Sequence, residues 1–178
     1  MTIAKKQPGT IVVILGTLHQ LQGPSFSGSV EDPSYSKLLK RLISDRSIDF
    51  VFEEAAGRRP TTAELIAQTE VSGHYLDVDP TPEERKFLGI EAASIPQEPI
   101  DIWDHPHDQH TEQIIEEHCK REKVWLERVG ETAFKKGLLI CGIAHGLGFG
   151  FKLKDAGYEV TVFEYLPHHK VCMVVPRS

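Results

Sequence analysis

The chain carries two copies of a Gly-x-x-His motif and one pair of adjacent glutamates, and each of them lies at the end of an apolar run. Two neutral imidazoles with one or two carboxylates form a ligand set that divalent transition metals accept, with positions left for water. Without a metal, the same groups can act as general acid and general base. The candidate residues are His19 in the first motif, Glu53 and Glu54 in the pair, and His145 in the second motif.

The apolar runs that precede these residues predict strands that are buried on both faces, as in a parallel sheet. In open α/β sheets, ligands bind in the crevice outside the carboxyl ends of the strands. All three motifs are therefore expected to open onto one edge of the sheet. Glycine is expected to let the chain turn sharply away from each strand, so that the imidazole three residues later points over that edge.

The order of the predicted elements, with helices alternating between strands, indicates an α/β fold. We expect a single domain over residues 1–178, with a mostly parallel central sheet flanked by helices and an irregular middle insertion around residues 55–110. A long helix is expected from Thr111 to about Lys136, ended by Gly137, and a turn is expected over 144–150. The predicted strands are 11–15, 48–52, 138–143 and 158–165, with a further one at 171–175.

Composition excludes several classes of protein. A length of 178 residues suits one core, and a net charge of −6 argues against nucleic-acid binding. No apolar run is long enough to span a bilayer, and the N-terminus lacks the pattern of a signal peptide. Three widely spaced cysteines without a CxxC pair are typical of a reducing compartment. We therefore expect a cytoplasmic protein that acts on a small molecule or a peptide, with neither nucleic acid nor membrane as a partner.

The two glutamates at residues 53 and 54 compete for the same role. Phe50, Phe52 and Glu54 alternate onto one face of the predicted strand, so Glu53 faces the opposite way. This alternation favours Glu54 as the site carboxylate and leaves Glu53 as its competitor.

On the long helix, His118, Glu122 and Trp125 share a face with the apolar stripe, and Arg121 borders it. A charged residue on a face that packs against the core is costly unless it is paired. Either Arg121 or Glu122 therefore reaches inward toward the carboxylates or a bound anion, or the two are ordinary surface residues at the rim of the helix.

Two further groups of residues are weaker candidates. Asp77 and Asp79 lie on the same side of a short predicted strand, where they either face the site or belong to a solvated edge. His105, His107 and His110 have the composition of a metal cluster, but their proline-bearing context favours a solvated segment before the helix.

Four segments together resemble the superfamily of TraB, TIKI, ChaN and erythromycin-esterase-like proteins: Gly-Thr-Leu-His, Ile-Asp-Phe-Val-Phe-Glu-Glu, Arg-Glu-Lys-Val-Trp and Gly-Ile-Ala-His. The resemblance covers the chain from Ile11 to about Phe163. It implies an α/β fold in which the paired motifs and a glutamate line one site. TIKI-like members use that site for metal-dependent peptide cleavage, esterase-like members hydrolyse a lactone, and ChaN-like members bind haem. The motif positions fall on His19, Glu54, Arg121 and His145.

The leading hypothesis is a metal-dependent hydrolase that acts on a peptide, ester or amide bond. His19, Glu54 and His145 would bind Mn, Co or Zn, and Glu53, Arg121 and Glu122 are the candidate catalytic residues, with Arg121 steadying developing negative charge. The alternative is a binding protein without turnover that holds haem or a small anionic ligand in the same crevice. A third interpretation, a glycine-rich phosphate turn over 142–150, is weak because the dinucleotide spacing Gly-x-Gly-x-x-Gly is absent.

Overall fold

A six-stranded sheet forms the centre of the computed structural model, which describes residues 9–23, 28, 32–90, 109–166 and 172–174. The strands are β1 (Ile11–Thr17), β2 (Phe50–Glu53), β3 (Tyr75–Asp77), β4 (Lys136–Gly142), β5 (Glu159–Tyr165) and β6 (Cys172–Val174). Their order is β3-β2-β4-β1-β5-β6. The first five strands run parallel, and β6 pairs antiparallel with β5. The predicted α/β fold with a mostly parallel central sheet is confirmed.

The described residues form five α-helices: α1 (Pro33–Arg46), α2 (Thr62–Glu70), α3 (Pro82–Phe87), α4 (Gln109–Glu131) and α5 (Ile143–Asp155). One core joins α1 and α2 to the sheet and includes Leu39 and Ile66. The other core joins α4 and α5 to the opposite face and includes Trp125 and Phe149. In the part of the chain described, no helix is both long and apolar enough to span a bilayer.

The strand order determines which loops meet at the carboxyl edge of the sheet. Strand β4 lies between β1 and β2 and is parallel to both. Thr17 at the end of β1 pairs with Gly142 at the end of β4, and Glu53 at the end of β2 pairs with Ile140. The two Gly-x-x-His motifs and the glutamate pair are therefore brought side by side.

The long helix ends earlier than its sequence predicts. Helix α4 stops at Glu131, and Gly137 lies inside β4 rather than at a helix end. A Cβ at Gly137 would lie 2.9 Å from ring carbons of both Phe134 and Phe52. The glycine is needed at this position because two aromatic rings pack against the strand, so it gives no signal of a helix end.

The turn predicted for residues 144–150 is also wrong, because α5 runs without interruption from Ile143 to Asp155. Its glycines allow close packing. A Cβ at Gly150 would lie 3.1 Å from Val162 Cγ2, and one at Gly146 would lie 3.7 Å from the Cα of Gly16. The glycine-rich composition thus brings a helix close to the sheet, and the interpretation as a phosphate-binding turn is dropped.

The described part of the middle of the chain contains α2, β3 and α3, and α3 is capped by the reciprocal hydrogen bonds of Thr81 and Glu84. Strand β3 extends the sheet beside β2. The loop predicted for residues 90–109 falls almost wholly outside the described residues. His105 and His107 are outside them too, and nothing is described of the His110 side chain.

Candidate functional site

The carboxylate of Glu54 lies at the centre of the candidate site, directly after β2. Its Oε1 atom is 3.7 Å from His19 Nε2 and 3.8 Å from His145 Nε2. Its Oε2 atom accepts a hydrogen bond of 2.7 Å from the backbone N–H of Gly142. The structure therefore brings together all three residues that the sequence indicates as metal ligands.

The orientation of His19, in a single 3-10 turn after β1, is set by Gln22. His19 Nδ1 lies 2.6 Å from Gln22 Oε1, and Gln22 Nε2 donates to the carbonyl oxygen of Glu54 at 3.3 Å. Because the side-chain amide nitrogen of Gln22 donates to the carbonyl of Glu54, the amide oxygen of Gln22 is the atom that faces His19, and it accepts the Nδ1–H of His19. In the neutral ring, the lone pair is then on the Nε2 atom that faces Glu54.

The orientation of His145, in the first turn of α5, is set in the same way by a carboxylate. His145 Nδ1 lies 2.7 Å from Glu122 Oε1, and the other oxygen of Glu122 is 2.7 Å from Lys152 Nζ. An ionised carboxylate only accepts hydrogen bonds, so Nδ1 carries the proton. Both histidines thus donate from Nδ1 to a buried acceptor and point Nε2 toward the same oxygen of Glu54.

The chain leaves β4 directly into α5 at Gly142, and the glycines of the two motifs provide space there and not a glycine-specific backbone conformation. Gly142 has φ −56°, which any residue can adopt, and Gly16 is not among the positive-φ glycines. A Cβ at Gly142 would lie 2.8 Å from His19 Nε2, and one at Gly16 would lie 3.3 Å from the Cα of Ile143. Glycine at Gly142 is required because the imidazole of the other motif packs against the backbone there.

Arg121 points into the site, where its side chain is only 11% exposed. Its guanidinium forms an ion pair with Glu54 Oε1, and its Nε donates to Asp79 Oδ1 at 2.9 Å. The guanidinium carbon also lies 5.4 Å from the centre of the Trp125 ring. This residue therefore links two buried carboxylates and does not lie at the surface of the helix.

Asp79 and Asp77, which the sequence left open, have different environments. Asp79 is buried and is held by Trp125 Nε1 at 2.9 Å and by Arg85, in addition to Arg121. Asp77 accepts hydrogen bonds from the backbone N–H groups of Ala55 and Gly57 and so fixes the loop after Glu54. Only Asp79 belongs to the network of the site.

Opposite charges stabilise the ionised forms of these carboxylates. Burial alone would raise the pKa of Glu54, but the Arg121 guanidinium holds that pKa below its usual range, as do the two imidazoles when they are protonated and the backbone N–H of Gly142. Burial also opposes ionisation of Glu122, whose pKa is nevertheless lowered by its hydrogen bonds with His145 and Lys152. Each carboxylate of the site thus has a cation beside it.

Glu53 lies on the other face of the sheet and is not part of the cluster. Its Oε2 accepts hydrogen bonds from the hydroxyls of Thr61 and Tyr75, while its buried Oε1 has no hydrogen-bond partner. Burial raises the pKa of Glu53 to about 8. Side-chain alternation along β2 therefore separates the two glutamates, and the geometry does not bring Glu53 to the predicted site.

Besides Asp79, three residues of the site were missed or left unassigned by sequence reasoning. Gln22 follows His19 by three residues, which is one turn of a 3-10 helix, so its spacing was a usable signal. Lys152 follows His145 by seven residues, which is two turns along α5. His118 was placed on the inward face of the long helix, and its ring lies 4.2 Å from that of His145.

The geometry can be compared with what a metal ion requires. Among the described residues, no group of three or more His, Cys, Asp or Glu side chains is already arranged to hold an ion. Two ligand atoms about 2.1 Å from a tetrahedral ion lie about 3.4 Å apart. The two distances of 3.7 and 3.8 Å from Nε2 to Glu54 Oε1 exceed that value by a few tenths of an ångström. Small side-chain movements would therefore create the ligand set, and the residues fit a divalent ion.

The chain matches no family model, no curated protein and no solved structure. The fold and the site define a class: an α/β protein with a mostly parallel sheet and a Glu–His–His cluster at its carboxyl edge, in which Glu54 and His145 are buried and His19 is partly exposed.

Proposed function

We propose that His19, Glu54 and His145 bind a divalent transition-metal ion, Mn, Co or Zn, and that the protein is a metal-dependent hydrolase acting on a peptide, ester or amide bond. The observation that carries the proposal is the convergence of two imidazole Nε2 atoms on one carboxylate oxygen, at 3.7 and 3.8 Å. Both distances are too long for a direct hydrogen bond. They suit ligands placed around a shared cation.

The hydrogen bonds behind the histidines support a metal site over simple acid–base chemistry. Histidine ligands of metals commonly donate their second ring N–H to a carboxylate, carbonyl or amide oxygen, which fixes the tautomer and makes the ligand nitrogen more basic. Glu122 has this role for His145, and Gln22 has it for His19. A lone pair on Nε2 that is directed at a carboxylate oxygen is repelled unless a proton or a metal ion lies between the two atoms.

In this proposal the chain supplies orientation and charge around the ion. When bound, the ion supplies Lewis acidity, which polarises a carbonyl oxygen and acidifies water. Arg121 is already engaged by Glu54 and Asp79, so we assign it to holding the carboxylate ligand in place. Glu122 orients His145, and Lys152 keeps Glu122 ionised. We therefore assign Arg121 a positioning role, in place of the stabilisation of developing negative charge that the sequence analysis proposed for it.

The proposal includes a cellular compartment, the cytoplasm. Cys119 and Cys141 are both free thiols. Free thiols are typical of proteins in a reducing compartment, which supports action in the cytoplasm on a peptide or small-molecule substrate.

The test is a calorimetric titration of tag-free protein with Zn(II) and with Co(II). We expect one ion per chain, and a loss of at least about a hundredfold in affinity for His19→Ala and for His145→Ala. His74→Ala is the matched control, because His74 contacts Asp49 and Phe50 away from the cluster. The loaded protein is then assayed with chromogenic esters and amides and with a short peptide library.

Two results would contradict the proposal. Wild-type protein that binds neither ion removes its basis. A haem titration that gives a Soret band lost in His19→Ala or His145→Ala, without any metal-dependent hydrolysis, would favour the haem-binding alternative.

A further inference from the structure

A third imidazole, His118 on α4, lies against the candidate metal site. Its ring centre is 4.2 Å from that of His145, with the ring planes 46° apart. Along the helix, His118 comes three residues before Arg121 and four before Glu122, so all three side chains lie on one face. Helix α4 thus directs an imidazole toward the same place as the residues that position Glu54 and His145.

His118 differs from the other histidines whose side chains are described. His19, His74 and His145 each use Nδ1 in a hydrogen bond to a protein acceptor. The described residues offer no hydrogen-bond partner to either ring nitrogen of His118, although the side chain is half-buried. Neither ring nitrogen is among the buried atoms without a partner, so both are left to solvent or to a ligand bound at the site.

We propose that His118 is an additional ligand of the same ion, giving three imidazoles and one carboxylate, so that the water of the proposed hydrolase would need a fifth position. This inference rests on the proposed function. Imidazole-rich sets suit Zn and Co, whereas Mn prefers sites dominated by oxygen ligands. The third imidazole therefore narrows the proposed cofactor from Mn, Co or Zn to Zn or Co.

The experiment follows Co(II) and Zn(II) binding by visible absorption and competitive titration in the full chain. His118→Phe keeps a ring packed on His145 but has no ligand nitrogen, and His118→Gln is a smaller variant in case the first fails to fold. His74→Ala is again the control. Circular dichroism and thermal melting establish that each variant is folded.

We expect the folded His118 variants to bind Zn(II) at least about tenfold more weakly than wild type and to change the Co(II) absorption spectrum. His74→Ala should change neither property. Wild-type affinity and an unaltered spectrum in a folded His118 variant would overturn this inference and leave the metal site intact. Wild-type protein that binds no metal at all would instead contradict the proposed function on which the inference depends.

Discussion

Glu53 and Glu54 are adjacent in sequence and both are buried, yet the two faces of the sheet give them opposite properties. On one face, hydroxyl groups surround Glu53, and burial raises its pKa to about 8. On the other face, Arg121 holds the pKa of Glu54 below its usual range, as do the two imidazoles when they are protonated and the backbone N–H of Gly142. The same side chain is therefore an uncharged acid on one side of β2 and a carboxylate on the other at neutral pH.

The difference shows that burial alone does not determine the charge of a carboxyl group. Desolvation opposes ionisation in both glutamates, and the outcome depends on whether a cation lies within reach. Hydroxyl donors stabilise Glu53 without supplying charge, whereas Arg121 supplies a full charge to Glu54. The face of the sheet that carries Glu54 and Arg121, here called the charged face, is suited to binding a cation. The face that carries Glu53, here called the uncharged face, is suited to packing.

The largest expected effect comes from removing the cation of the charged face. Arg121→Ala leaves Glu54 and Asp79 buried without their shared partner, and we expect a loss of about 3 to 5 kcal/mol in the free energy of unfolding. Urea denaturation at pH 7 measures it. Arg41→Ala, which breaks an exposed pair with Asp45, is the control and should cost roughly 0 to 0.5 kcal/mol. Equal losses in the two variants would show that Arg121 does not stabilise buried charge.

The uncharged face predicts an unusual dependence of stability on pH. Because the pKa of Glu53 is raised to about 8 in the folded protein, the unfolded chain releases this proton first, near the ordinary glutamate pKa of 4.5. The contribution of Glu53 to stability is complete below about pH 4.5, falls as the pH rises toward 8, and is constant above that. For Glu54 the sign is reversed, since its lowered pKa gives stability that is lost as the pH falls below its usual range.

Glu53→Gln removes this titration while preserving acceptors for Thr61 and Tyr75. We expect the free energy of unfolding of the variant, relative to wild type, to rise between pH 5 and pH 8 by on the order of 1 kcal/mol per pH unit. Urea denaturation at four pH values measures the difference in the free energy of unfolding between the two proteins. The contributions of the titrating groups that both proteins share cancel in this difference. Parallel pH profiles would mean that Glu53 has an ordinary pKa and that the two faces are electrostatically alike.

A smaller effect is expected from crowding the charged face. Gly142→Ala places a Cβ 2.8 Å from His19 Nε2, so the imidazole must move, and we expect a loss of about 1 to 3 kcal/mol together with weaker metal binding. Gly148→Ala is the control in α5, where an added Cβ meets nothing within 4 Å. That variant should be neutral or more stable by about 0.5 to 1 kcal/mol. If the two variants behave alike, the spatial account of the motif glycine is incorrect.

Patterns local to the sequence predicted much of the fold and part of the site. Apolar runs located β1, β2 and β4, because strands buried on both faces need apolar side chains on both faces. Period-two alternation along β2 correctly placed Glu54 with Phe52 and apart from Glu53. These features depend on neighbours in sequence, so they can be recognised without knowing the fold.

Features that depend on contacts distant in sequence were missed. Nothing local shows that β4 lies between β1 and β2, although that order brings the two Gly-x-x-His motifs together. In the sequence, Gly146 and Gly150 suggest a loop, but in the structure they let α5 pack closely on β1 and β5. Gly137 suggests a helix end, but in the structure it makes room for the ring of Phe52. Asp79 was left unassigned because its partners Arg85, Arg121 and Trp125 come from α3 and α4.

The most direct test of the charged face is a crystal structure of the Zn-loaded protein with anomalous diffraction data collected at the zinc edge. We predict one strong anomalous peak within about 2.0 to 2.2 Å of His19 Nε2, His145 Nε2 and Glu54 Oε1. The Nδ1 atoms should remain bonded to Gln22 and Glu122. An occupied zinc site elsewhere, with Glu54 bonded only to Arg121 and Gly142, would contradict the account.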